Sequence, residues 1–172
     1  MKQAIALVCF MVIGFSILIC QERTPAENEK KTEIIYGKVT LAEVLDGSPD
    51  WRDKANEYMP QPSAIEFLVQ IALPAKIEIY FGHWCSDSVN NVPKFLKIME
   101  LAANPAFEME FWSVEKMKKG EKRGPVNNRQ LKAIPTFVVF VEGEEVGEII
   151  ENPIVSIEED LVTIINNTIE PK

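Results

Sequence analysis

An α/β fold, with a mixed sheet of four to five strands flanked on both sides by helices, is what the order of apolar segments predicts. Three observations carry that expectation. Short β-branched and aromatic runs alternate with longer amphipathic ones in the order β, α, β, α, β, β, α. Only Glu142-Gly143-Glu144 separates the last two strand-like runs, which makes them a hairpin. A cysteine, Cys85, stands where the first strand hands over to a helix.

Each element has its own local reason. Residues 21–33 are polar, contain Pro25 and carry no apolar run, so they read as a linker with ordered structure from Ile34 onward. Thr40 is placed to cap a short helix over Leu41 to Leu45, with Gly47 as its terminator. Ser48-Pro49-Asp50 opens a helix from Trp51 to Met59, and Pro62-Ser63 opens one from Ala64 to Ala72. Together these form an N-terminal helical extension. The first strand, Lys76 to Phe81, contains Ile77-Glu78-Ile79-Tyr80-Phe81, the composition of a buried strand. A helix follows to Ala103, interrupted by Pro93, which removes a backbone hydrogen bond and favours a bend. Further strands are expected at Phe107 to Val114, Thr136 to Val141 and Glu145 to Ile150. Ser156-Ile157-Glu158-Glu159 is a capping box for a last helix to Ile169, with Ile157, Leu161, Ile164 and Ile165 on one face.

With 172 residues, 47% of them hydrophobic and 26% charged, the chain can bury the core of one ordinary domain. Its net charge of −8 speaks against nucleic acid as a partner, because phosphate binding needs a basic face. The one basic cluster, Lys116-Met117-Lys118-Lys119 followed by Glu121-Lys122-Arg123, reads as a solvated loop.

The N-terminus carries an address. Lys2 precedes an uncharged apolar run from Gln3 through Cys20, and the chain turns polar at Gln21-Glu22-Arg23. Residues 1–20 therefore read as an export signal or, left uncleaved, as a membrane anchor. Ending in Cys20, the segment resembles the leader of bacterial lipoproteins, although Ile19 stands where a small residue is usual. That resemblance implies lipidation at Cys20 and membrane association in a bacterial envelope or periplasm; a plain signal peptide is the other reading.

Cys9 lies within this leader, and Cys20 is either removed with it or lipid-capped, so Cys85 is expected to be the one free thiol of the mature protein. A structural disulfide is then excluded. One histidine and one free cysteine cannot supply the usual ligand set, so no metal is expected, and no other cofactor either.

Residues from about 76 to 169 resemble a thioredoxin-fold domain, and 34–172 are taken as the whole domain. The resemblance rests on Trp84-Cys85-Ser86-Asp87-Ser88, on Pro93 in the following helix, on Ile134-Pro135-Thr136 before the third strand, and on the Gly143 hairpin. It implies that Pro135 is cis and lies against Cys85, with Trp84, Ile134, Pro135 and Thr136 forming the surface where an extended substrate segment binds. The chain departs from the family in three places. Ser88 replaces the second, resolving cysteine; Ile79 stands where a buried acid is usual; Phe111 aligns with its companion lysine. Glu78 does not substitute for the acid, because strand side chains alternate and it points to the other face.

The chemistry left to such a site is that of a single thiol. Unpaired N–H groups and the positive end of the helix dipole favour a thiolate at Cys85, and the Ser88 hydroxyl is placed to support it. Asp87, in the same turn, opposes ionisation or interacts with the helix dipole instead. His83 is either a surface residue or, protonated, a support for the thiolate. The activity expected is thiol-disulfide exchange on exported proteins, with Cys85 as nucleophile and a small external thiol or partner reductase resolving the mixed disulfide. The alternative is a redox-silent binding or chaperone module of the same fold.

Overall fold

The computed structural model describes residues 34–169, Lys122 excepted. The leader over 1–20 with Cys20, the linker over 21–33 and the last three residues lie outside them. In chain order the elements are β1 (Gly37–Val39), α1 (Leu41–Gly47), α2 (Trp51–Glu57), α3 (Pro62–Gln70), β2 (Ala75–Phe81), α4 (Ser86–Ala102), β3 (Phe107–Ser113), β4 (Thr136–Val141), β5 (Glu144–Ile150) and α5 (Ile157–Ile169).

The strands form one mixed sheet in the order β1-β3-β2-β4-β5. β2 and β3 run parallel; the other pairs are antiparallel. β1 is absent from the pattern of the sequence, since three residues show no period of their own. It forms because it completes an edge: Val39 pairs with Phe111, and its buried side chain joins the core.

Helix ends follow local chemistry. Thr40 caps α1 with Glu43 in a reciprocal capping box, its backbone N–H donating to Glu43 Oε2 at 2.7 Å. α4 stops where Ala103 turns left-handed at φ 42°, and the Asn104 amide then donates to the carbonyls of Leu68 and Ile71, both at 2.8 Å, tying this end to α3. The β4–β5 turn places Glu142 at φ 51° and Gly143 at φ 88°, the paired positive values of a tight hairpin. Glu158, buried in the first turn of α5, accepts from the Tyr58 hydroxyl at 2.9 Å and from the Gln61 backbone at 2.9 Å. That carboxylate links three helices, and burial together with its charge pushes the Tyr58 phenol well above its ordinary value.

The helices occupy one side of the sheet, not both. A single apolar cluster contains Val44 of α1, Trp51 of α2, Leu68 of α3, Phe95 of α4 and Leu161 of α5 together with Ile77, Ile79, Phe81, Phe137 and Val139 of the strands. These strand positions share one parity and so one face. Tyr80 and Val138 have the other parity, and they are packed by Val114, Val126, Leu131 and Ile134 from the irregular segment between β3 and β4. The helix that the order β, α, β, α, β, β, α places between β3 and β4 is not formed among the described residues, because 114–135 has charges and turn residues where a covering helix would need an apolar stripe.

Candidate active site

Cys85 lies at the junction of these two layers. Its backbone is extended (φ −90°, ψ 124°), it occupies the N-cap of α4, and its N–H donates to the Gly82 carbonyl at 3.0 Å. The thiol is half-buried, and its Sγ donates to the carbonyl of Ile134 at 3.3 Å. The Ile134–Pro135 peptide bond is cis. The strand-to-helix handover and the start of β4 therefore meet at the sulfur.

The surroundings differ in part from the sequence expectation. Ser88 is fully buried, and its hydroxyl accepts the Gly82 N–H at 3.2 Å, which fixes the loop before the thiol. Among the described residues, the hydrogen bond of the Cys85 sulfur goes to Ile134, not to Ser88, and the sulfur makes no cap bond to the first turn of α4. Asp87 sits half-buried in that first turn. Ile79 and Phe111, the apolar replacements behind the site, are direct partners in the β2–β3 register and both buried. Glu78 lies on the opposite face, accepting from Lys76 and from the Tyr80 hydroxyl, each at 2.7 Å. With burial, that carboxylate pushes the Tyr80 phenol up to about 12.

Of the expected substrate surface, Ile134, Pro135 and Thr136 have buried side chains, and Thr136 Oγ1 donates to the Ala133 carbonyl at 2.8 Å. The Pro135 carbonyl is already taken by the Glu151 N–H at 2.7 Å. What remains accessible is Trp84, 39% exposed, with its indole N–H anchored on the Val114 carbonyl at 3.0 Å. Gly82 makes room for this ring: a Cβ there would lie 2.8 Å from the indole nitrogen and 3.0 Å from Ile134 Cδ1.

His83 is neither a free surface residue nor a charged support. Its ring stacks on Trp51 at 5.5 Å, meets Phe81 edge-on at 5.1 Å, and places Nδ1 2.7 Å from Ser48 Oγ. Burial holds its pKa below the ordinary 6.5, so it is neutral at pH 7 and brings no positive charge to a thiolate.

Two residues near the thiol come from the run that reads as a solvated loop. Lys116 Nζ lies 5.7 Å and Arg123 Cζ 5.9 Å from the centre of the Trp84 ring, within cation–π range. The Arg123 Nη2 donates to the Glu115 carbonyl at 3.0 Å, and its Nε is buried with no partner among the described residues. Burial lowers the Arg123 pKa while the charge of an ionised Cys85 acts the other way, so the two groups are within electrostatic reach. The signal that points to these residues is register. β2 and β3 are parallel and end together, with the Val114 N–H on the Phe81 carbonyl at 2.7 Å, so the segment leaving β3 starts beside the loop that leaves β2.

The comparisons with known proteins agree with this architecture. The chain superposes on a protein of unknown function from Pseudomonas aeruginosa with a TM-score of 0.53 and 18% identity, covering 78% of this chain and 94% of that one. It superposes on an HIV epitope-scaffold with a TM-score of 0.52 and 18% identity, covering 77% and 94%. Both likenesses are of fold. No curated protein is similar enough to this chain to count as a match. The family model described as thioredoxin matches residues 49–163, which takes in α2, α3 and the strands β2 to β5, and the chain belongs to the thioredoxin family.

Proposed function

We propose that the protein carries out thiol-disulfide exchange through Cys85 alone, on exported proteins, with an external thiol or a partner reductase completing each cycle. The observation that supports this reading is a free, half-exposed cysteine at the start of α4, 3.3 Å from a main-chain carbonyl of the segment that begins β4. The Cys85 thiolate attacks one sulfur of a substrate disulfide; the S–S bond breaks, and the electron pair leaves on the other substrate sulfur, which takes a proton from water. Once Cys85 has lost its own proton, the Ile134 carbonyl is free to accept an N–H from the substrate segment. Ser88 offers no second thiol, so the mixed disulfide persists until an outside thiolate attacks it, releasing Cys85 and pairing with the substrate sulfur.

The test is insulin reduction by the full chain in a small-thiol system. Turnover should require the small thiol and should vanish in Cys85→Ser with the fold intact by circular dichroism. Turnover unchanged in Cys85→Ser would instead favour a binding module in which the thiol is incidental. Ser88→Cys should supply the absent resolving thiol and shorten the life of the mixed disulfide.

Export belongs to the same proposal, through a leader over residues 1–20 that is either cleaved, acylated at Cys20 or retained as an anchor in the bacterial envelope. What supports it is the apolar run opened by Lys2 and closed by Cys20. A mature mass beginning at Cys20 with added lipid would favour acylation; unmodified full-length protein recovered from the cytosol would refute export.

A further inference from the structure

Lys116 and Arg123 do more than solvate a loop. Both stand over the exposed Trp84 ring, at 5.7 and 5.9 Å, on the residue immediately before the thiol. Arg123 Nη2 donates to the Glu115 carbonyl, and the backbone behind it is fixed by Gln130, whose amide donates to the Arg123 carbonyl at 3.3 Å. Its Nε is buried and unpartnered among the described residues, an N–H left without an acceptor beside the site. Asp87 is the acid in the first turn of α4, and the segment from Glu115 to Arg123 carries Glu115 and Glu121 against Lys116, Lys118, Lys119, Lys122 and Arg123, so its charge is positive by that excess.

We infer that Arg123, assisted by Lys116, is a specificity-determining residue that selects disulfides bearing a carboxylate close to the reacting sulfur. This rests on the exchange reading of Cys85. The carboxylate accepts from the guanidinium while the substrate's apolar portion lies on Trp84, and the scissile sulfur is thereby brought to Cys85. The exchange step is unchanged: the Cys85–sulfur bond forms, the substrate S–S bond breaks, and the departing thiolate carries the second carboxylate away. The selection runs against the molecule's overall charge, since a chain at −8 repels anions at long range. A preference for anions must therefore come from the local pair of cations.

The experiment uses the full chain and three small disulfides: hydroxyethyl disulfide (neutral), dithiodiglycolate (anionic) and cystamine (cationic). The rate of adduct formation at Cys85 is followed by intact mass and located by peptide mapping, at low and at physiological salt. The anionic disulfide should react about three- to tenfold faster than the neutral one at low salt, as expected for charges several ångströms apart in partly solvated surroundings. The cationic one should be slowest, and salt should compress the series. Arg123→Gln should bring the ratio of anionic to neutral rates to about one, and Arg123→Lys should restore part of it. A wild-type ratio of one or below, or a ratio that Arg123→Gln leaves unchanged, overturns the inference while the exchange reading stands. No adduct at Cys85 with any of the three overturns the exchange reading and the inference with it. The wild-type salt dependence keeps the test independent of how any variant folds.

Discussion

The two faces of the sheet are built from different chemistry. On one, Ile77, Ile79, Phe81, Phe137 and Val139 meet the apolar sides of all five helices, and Phe95 packs on Phe137 with ring centres 5.1 Å apart. On the other, Lys38 pairs with Glu110 at 2.8 Å, Lys76 with Glu78 at 2.7 Å and Lys132 with Glu148 at 3.1 Å, while Arg129 reaches Glu145 and Glu148. Apolar burial stabilises in proportion to area removed from water, whereas partly exposed ion pairs are screened and contribute little. The first face therefore holds the molecule together. The second is free to carry an irregular segment, and with it the cations beside the thiol. Cys85 is the point where they meet, its sulfur packed with the second face and its backbone opening a helix of the first.

The sharpest way to break this contrast is Phe95→Ala, which removes a fully buried ring from the helical face and should cost about 3–5 kcal/mol, read from urea unfolding. A loss below about 1 kcal/mol would mean that the helical face is not where stability resides. Next in size is Gly82→Ala at the junction. Its Cβ would meet the Trp84 ring at 2.8 Å, so about 1–3 kcal/mol of overpacking is expected, together with altered alkylation kinetics at Cys85. Unchanged kinetics would show that the position of the ring does not matter to the thiol.

A third prediction is the pH dependence contributed by His83. Its folded pKa lies below 6.5, so the unfolded chain binds the proton more readily. The stability tied to the neutral ring is therefore complete above pH 6.5, falls as the pH drops through 6.5 toward the folded value, and then levels off. Subtracting the curve of His83→Gln from that of the wild type should leave this slope; parallel curves between pH 7 and 5 would contradict the burial of the ring. The smallest effect is expected from Lys132→Ala on the ion-paired face. Its side chain is 75% exposed, and the change should be within about 0.5 kcal/mol.

The same division explains which parts of the molecule are legible in the chain's pattern. β2, α4, the Gly143 hairpin and α5 are, because each has a period, a cap or a turn that acts locally. β1 is not, because three residues become a strand only once Phe111 offers them an edge. The one-sided arrangement of helices is likewise a property of the assembled sheet, decided by what 114–135 lacks. At the site, the resemblance of Trp84 to Ser88 and of Ile134-Pro135-Thr136 to the thioredoxin fold implies that Cys85 and this segment meet, and Cys85 Sγ lies 3.3 Å from the Ile134 carbonyl. It does not point to Arg123 and Lys116, because a run of charges carries no sign of which aromatic ring it will cover. The environment of His83 is hidden for a similar reason: Trp51 and Ser48, which bury it, are more than thirty residues away.

The central claim, that one thiol performs the chemistry and cannot release itself, is tested most directly by the lifetime of its mixed disulfide. The full chain is treated with hydroxyethyl disulfide, freed of excess reagent and followed by mass spectrometry with and without added small thiol. The adduct should map to Cys85, persist when no thiol is added, and disappear when one is. Spontaneous loss of the adduct at the same rate without added thiol, or a wild-type chain that forms no adduct at Cys85, would contradict it.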